Sequence, residues 1–376
     1  MGVLRWIGKE TEGSDCEHMK QLIEQNSIVG SQRYLYLDYL KCFAIFCVVF
    51  GHALSWFAPG SRVNEMVYFH FIITFHMPLF AFISGYLFRS DGCFVPFMKK
   101  KISRMVIPYF VWAFVYGLVL PALQDIRHGR LEMGALITRF PAYALTENLW
   151  FIRALIFSMI LGWLSMRWGG VKTLLLSCLL VYAVSLLGLI PIGEALKGFV
   201  FLYPFFCSGV VWHRMEGKWT KQRKMLFVCS LLCFAILLRG WRGFQDTFYL
   251  MNNSVFEAPG YVTAAGWEVV ERTLYRLAIG LAGSLVFFLG TQLLWQTKIS
   301  AGTFGNVCSM IGRNTLGIYL MNGVLFYGGG FSRWLQGEWY AAIGCFVLSV
   351  GWIVFSMWII KRTSCRKVLS NLLWGQ

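Results

Sequence analysis

Apolar residues in this chain fall in long blocks, not in the alternation of a half-buried strand or the stripe of a surface helix. A helix needs about 20 mostly apolar residues to cross the hydrocarbon core of a bilayer. Ten blocks approach that length: Tyr34–Phe57, Met66–Phe88, Met105–Leu123, Leu149–Met166, Val171–Ile190, Gly198–Trp212, Met225–Leu238, Tyr275–Trp295, Phe304–Tyr327 and Tyr340–Ile360. The sixth and seventh are short. The pattern predicts an all-α polytopic transmembrane helix bundle of about ten spans over residues 34–360. Residues 1–33 mix charges with short apolar pieces and contain no continuous apolar core of a leader, so they read as a cytosolic tail. Residues 361–376 read as a basic cytosolic tail. No internal repeat is visible.

Composition sharpens this picture. The chain has 376 residues, 57% of them apolar and 14% charged, against about 25% charged in soluble proteins. That excludes an ordinary cytosolic enzyme, a disordered chain and a nucleic-acid binder with a solvated basic face. The net charge of +16 fits the excess of Lys and Arg found in cytoplasmic loops. With the N-terminus inside, the inner loops carry Arg89, Lys99, Lys100, Lys101 and Arg104, then Arg167 and Lys172, then Arg214, Lys218, Lys221, Arg223 and Lys224, then Lys298. The outer loops hold bases and acids in similar numbers. Both termini are therefore expected in the cytosol. Most of the 11 cysteines lie inside apolar runs and no CxxC occurs; buried thiols are expected there, not disulfides or a metal site.

Charged groups inside spans are expensive and mark function. They are Asp38, Lys41, His52, His76, Arg153, Arg276 and Arg313. Asp38 and Lys41 share a helical face and can pair. Arg153 and Arg276 lie near outer ends, where a long side chain can snorkel to water; Arg313 lies deeper. Cations outnumber the single carboxylate, so the lining favours an anionic ligand, either a phosphate-bearing coenzyme or an anionic transport substrate. His52 can act as a general base if a hydroxyl reaches it. Neither histidine has metal-site spacing.

Five segments, taken in order, resemble the membrane acyltransferase family 3. Tyr36-Leu-Asp-Tyr-Leu-Lys through Phe50-Gly-His52 resembles its first span. Phe75-His-Met-Pro-Leu-Phe-Ala-Phe-Ile-Ser-Gly-Tyr86 is similar to its second. Phe97 through Tyr109 resembles its basic loop and third span, and Leu149–Leu155 and Ile311–Tyr319 resemble later signatures. The Asp-Tyr-Leu-Lys form resembles the branch with the fucose 4-O-acetylase relatives. The resemblance implies transfer of an acyl group, acetyl above all, from cytosolic acetyl-CoA to a hydroxyl of a sugar or surface polysaccharide. The protein would then sit in the bacterial inner membrane, with acyl-CoA and a carbohydrate acceptor as partners and no permanently bound cofactor.

The family pairs an Arg and a His in its first span; here Lys41 stands for the Arg and His52 is the His. Its cytosolic Arg-x-x-Arg is matched by Lys101 and Arg104, and its ninth-span His by Asn322. Lys41 and His52 are expected to be catalytic, Lys101 and Arg104 to hold acyl-CoA, and Asp38, His76, Arg153, Arg313 and Asn322 to line the cavity. Eleven residues at 1.5 Å rise place Lys41 and His52 about 16 Å apart, so one end of the helix meets the donor and the other the acceptor. In the outer loop Arg239–Leu274, Trp241 and Trp267 are expected to bind the acceptor sugar; an interfacial aromatic belt is the competing reading. A carrier or channel for an anion is the alternative function, and it predicts two similar halves, which are not seen.

Overall fold

The computed structural model describes residues 35–55, 57, 66–90, 93–129, 132–146, 149–187, 194–242, 246, 264–295, 303–327 and 338–376. The expected N-terminal tail and most of the Arg239–Leu274 loop lie outside these residues. Among the described residues all regular structure is helical. Among these residues six helices are long and apolar enough to cross a membrane.

The helices are α1 Leu35–Ser55, α2 Val67–Tyr86 and α3 Phe94–Arg127, then α4 Met133–Thr146, α5 Trp150–Leu186 and α6 Glu194–Trp219. They are followed by α7 Arg223–Leu238 and α8 Ala264–Trp295. The three short helices α9 Thr303–Arg313, α10 Thr315–Asn322 and α11 Val324–Tyr327 come next. The chain closes with α12 Glu338–Ser364 and α13 Lys367–Trp374.

The core is built on α2, which packs mainly on α6 and α8. A methyl group on Gly85 would stand 1.9 Å from the Phe206 carbonyl oxygen, and one on Gly209 2.0 Å from that of Phe82. Two small residues thus let the backbones of α2 and α6 touch, the packing device that membrane helices use in place of a hydrophobic driving force. Further along α2, Phe75 stacks on Phe287 at 4.2 Å, and Phe71 and Phe234 close the cluster. Leu175, Leu179 and Leu180 on α5, Leu232 and Ile236 on α7, and Ile343, Val347 and Val354 on α12 are exposed. Apolar faces of this kind suit lipid contact.

Three expected boundaries differ. The fourth and fifth blocks meet without intervening coil: within α5 only Gly170 leaves helical geometry, at φ 66° and ψ −143°. Glycine reaches that conformation at little steric cost, so one residue does the work of the expected loop. Helix α3 begins at Phe94, well before the expected Met105, and holds π-helical turns at Ile102–Val106 and Val115–Val119. Each wide turn precedes a proline, Pro108 or Pro121, which cannot donate the backbone bond a regular turn requires. The ninth block, expected as one span, is broken at Asn314 and Gly323 into α9, α10 and α11.

The C-terminal residues are also folded. Trp374 is buried, donates to Thr363 Oγ1 at 2.7 Å and lies 5.6 Å from the ring of Trp112, whose own Nε1 donates to the Leu373 carbonyl. Helix α13 is thereby held against α3 and α12.

Candidate functional site

The break in the ninth block lies beside α1. A methyl on Gly312 would stand 2.0 Å from the Asp38 carbonyl oxygen, so the backbones touch and the residues flanking Gly312 meet Asp38. The buried Asp38 carboxylate accepts from three side chains. Lys41 Nζ reaches Oδ1 at 3.3 Å. Arg313 Nε and Ser309 Oγ both reach Oδ2, each at 3.3 Å. The pairing of Asp38 with Lys41 was readable from their spacing; the addition of Arg313 was not. One carboxylate holds two cations, and the cluster keeps a net positive charge.

These cations stand at a half-open, mostly apolar cavity of about 220 Å³. Lys41, Arg313, Gly312, Thr315, Leu316 and Tyr319 line it, so the break at Asn314 forms part of its wall. Non-helical backbone at membrane depth is tolerated where it faces protein or a water-filled cavity. From α1 the wall continues through Ile45 and Val48, and from α2 through Leu87, Ser84, Phe80 and Met77. Spacings of three and four keep these positions on one helical face. The next position on the α1 face is His52, four residues after Val48, and His76 stands four residues before Phe80 on α2. Neither His touches the cavity.

Both histidines are half-buried and within electrostatic reach of each other. His76 Nδ1 lies 2.7 Å from the Ile72 carbonyl oxygen. A carbonyl only accepts, so Nδ1 carries the proton and Nε2 holds the lone pair of the neutral ring.

The remaining expected residues are dispersed. Arg153 is buried and donates to Tyr109 Oη at 3.3 Å, so it does not snorkel; Tyr109 in turn donates to the Ala144 carbonyl. Asn322 is buried, and its Oδ1 has no hydrogen-bond partner among the described residues. Neither lines the cavity, nor do Asp38 or His76. Lys101 and Arg104 do not line it either, although their neighbour Met105 reaches the wall from the π turn that follows Lys101. Lys101 Nζ lies 5.6 Å above the Phe97 ring. Trp241 is half-buried and stacks with Tyr275 at 6.2 Å, while Trp267 is 73% exposed. Among the described residues no group of three or more His, Cys, Asp or Glu gathers that could hold a metal.

Sequence reasoning missed two polar centres. Asp246 is buried, accepts from the Arg242 backbone at 2.7 Å and from Arg272 at 3.3 Å, and its carbonyl accepts from Arg276 Nε at 2.6 Å. It joins the Arg242 backbone to α8, and Arg276 is thereby buried instead of snorkelling. Glu216, an acid among the bases of an inner loop, accepts from Tyr86 at 2.6 Å and from Gln292 at 3.0 Å, and pairs with Arg223 at 3.4 Å. An acid within a basic loop that is answered by a Tyr and a Gln in neighbouring spans was the one available signal.

Residues 34–361 match the protein family described as an acyltransferase domain. Two curated relatives carry the name Nodulation protein NolL. The one from Sinorhizobium fredii is 24% identical over 310 residues, 79% of this chain and 79% of its own length. The one from Mesorhizobium japonicum is 25% identical over 319 residues, 79% of this chain and 77% of its own. No solved structure matches the chain.

Proposed function

Since this chain belongs to the acyltransferase domain family, as an integral membrane enzyme, we propose that it moves an acetyl group from cytosolic acetyl-CoA to a hydroxyl of a sugar or surface polysaccharide outside. The enzyme sits in a bacterial inner membrane as ten spans with both termini cytosolic. The α5 arms on either side of Gly170 supply two of them. The relatives named as nodulation proteins support a bacterial setting and leave the acceptor open.

The observation that carries this function is the shape and charge of the α1–α2 cavity. Its mouth holds Lys41 and Arg313 on Asp38, at the end of α1 from which the basic loops project. Cations held by a buried carboxylate are preorganised for the phosphates of a coenzyme. Behind them the wall is apolar, as the acyl and pantetheine parts of the donor require, and its two helical faces lead to His52 and His76. Lys101 and Arg104 add positive charge beside the mouth.

In the reaction the acceptor hydroxyl gives its proton to His52. Its oxygen bonds to the thioester carbonyl carbon, the carbon–sulfur bond breaks, and the coenzyme leaves as a thiolate. The proton on His52 is then released. His76, with its Nδ1–H fixed on Ile72, orders the same chamber. Trp241 and Trp267 present aromatic faces to the acceptor sugar at the outer side.

Detergent-purified protein incubated with acetyl-CoA labelled in the acetyl group tests this function. Slow hydrolysis, accelerated by extracted surface glycan with label appearing on the glycan, is expected. Protein that neither hydrolyses acetyl-CoA nor labels any glycan contradicts it.

A further inference from the structure

A second cavity, of about 280 Å³, opens where α2 ends, between the first arm of α5 and the end of α6. Phe88, Met166 and Val210 form its floor, and Arg89, Ser90, His213 and Arg214 form its walls. Its character is opposite to that of the first cavity, with two guanidinium groups, an imidazole and a hydroxyl around a small apolar base. Arg89 Nη1 stands 2.5 Å from His213 Nε2. A guanidinium only donates, so His213 accepts there, carries its proton on Nδ1 and fixes the direction of Arg89. The His213 ring is itself held edge-on against Tyr86 at 4.8 Å, and Tyr86 is bonded to Glu216. Glu216 in turn pairs with Arg223. Among the described residues no carboxylate pairs with Arg89 or Arg214, in contrast to Arg313 at the first cavity. The fold therefore holds a directed guanidinium and a second one beside it around an open volume, with no carboxylate paired to either among the described residues. Such an arrangement suits a phosphate group, which accepts from a guanidinium through two oxygens.

The two cavities are neighbours. Ser84 and Leu87 line the first, and Phe88, Arg89 and Ser90 line the second. On α5 Met159 belongs to the first and Met166 to the second, two helical turns or about 10 Å apart. One elongated ligand can lie across both. We propose that the pocket formed by Arg89, Ser90, His213 and Arg214 binds the ribose phosphate at the nucleotide end of the acyl-CoA donor, while Lys41 and Arg313 meet its diphosphate and the thioester end lies in the α1–α2 cavity. This assignment rests on the acyl-CoA donor proposed above. A phospholipid headgroup carries the same phosphate chemistry and is the competing source.

The test uses the full chain in nanodiscs and measures the binding of acetyl-CoA and of acetyl-pantetheine, which has the thioester end but no phosphate. Arg89→Gln and Arg214→Gln should each raise the Kd for acetyl-CoA about tenfold, as loss of a charge-assisted pair does, and leave that for acetyl-pantetheine unchanged. Arg89→Lys should fall between Arg89→Gln and wild type. Unchanged acetyl-pantetheine binding shows that the variants are folded. Equal weakening of both ligands, or no change in either, overturns the assignment. The lipid arm compares pure phosphatidylcholine discs with discs containing phosphatidylglycerol. If Arg89→Gln leaves the coenzyme Kd unaltered in phosphatidylcholine yet abolishes an inhibition by phosphatidylglycerol, the pocket belongs to lipid and the assignment is overturned. Wild-type protein that transfers acetyl and binds acetyl-CoA beside neutral variants defeats this inference alone. Wild-type protein that binds no acetyl-CoA defeats the proposed function with it.

Discussion

The two ends of α1 are built on different principles. At the Lys41 end charge is concentrated and held: one buried carboxylate fixes two cations and a hydroxyl at an open cavity. At the His52 end the titratable groups are imidazoles set in an apolar surround of Ala53, Leu54, Phe57 and Phe69, all buried. The first arrangement suits the binding of a charged ligand that arrives from water. The second suits moving a proton where little water competes. A helix whose ends differ in this way can separate donor binding from chemistry, and the separation predicts which kinetic constant each substitution changes.

The largest effect is expected at the outer end. His52→Ala should lower transfer by about 10²–10⁴-fold, the usual scale for a lost general base, with acetyl-CoA binding unchanged. Single-turnover transfer and equilibrium binding on the same preparation check it. Next comes Lys41→Ala, with an expected loss of about a hundredfold in kcat/KM for acetyl-CoA, whereas Lys41→Arg should stay within about tenfold of wild type, since the cation and its bond to Asp38 are kept. If Arg is as damaging as Ala, the amine itself is required and phosphate binding is the wrong role.

Asp38→Asn sharpens the comparison further. It leaves Lys41 and Arg313 charged but no longer anchored, and the loss of two charge-assisted contacts should raise the acetyl-CoA KM by about tenfold while kcat changes less. A fall in kcat alone would place Asp38 in the chemistry instead. The smallest effect is expected from Trp267→Ser, which should raise the acceptor KM by about threefold, on the scale of one aromatic face on an exposed ligand, and spare the donor KM. Altered membrane insertion or thermal stability with an unchanged acceptor KM would assign Trp267 to the interfacial belt.

How far these regions were legible in the chain follows from the range of the interactions. The apolar blocks marked most helices, because length and hydropathy are local properties. The Asp38–Lys41 pair was legible for the same reason. The approach of Arg313 to Asp38 was not. It depends on Gly312 touching the α1 backbone and on the break at Asn314, while the apolar run from Phe304 to Tyr327 reads as one uninterrupted span. Gly170 was hidden in the same way, since a single left-handed glycine replaces a loop that composition alone would make longer. The π turns of α3 were signalled by Pro108 and Pro121, yet hydropathy reads straight through them. The Arg89–His213 pocket was beyond reach, because Arg89 and Arg214 look like topogenic charges until α2 and α6 are brought together by Gly85 and Gly209. The depth of Arg153 left snorkelling and cavity lining both open; its partner Tyr109 lies on a helix whose orientation the sequence does not specify.

The separation of donor binding from chemistry along α1 is tested most directly by measuring acetyl-CoA binding and acetyl transfer in parallel on purified wild type, Lys41→Ala and His52→Ala in nanodiscs. The expected result is a crossed pattern: Lys41→Ala loses affinity for acetyl-CoA, and His52→Ala keeps wild-type affinity and transfers acetyl about 10²–10⁴-fold more slowly. Near-normal turnover in His52→Ala, or equal loss of binding in both variants, would contradict the account.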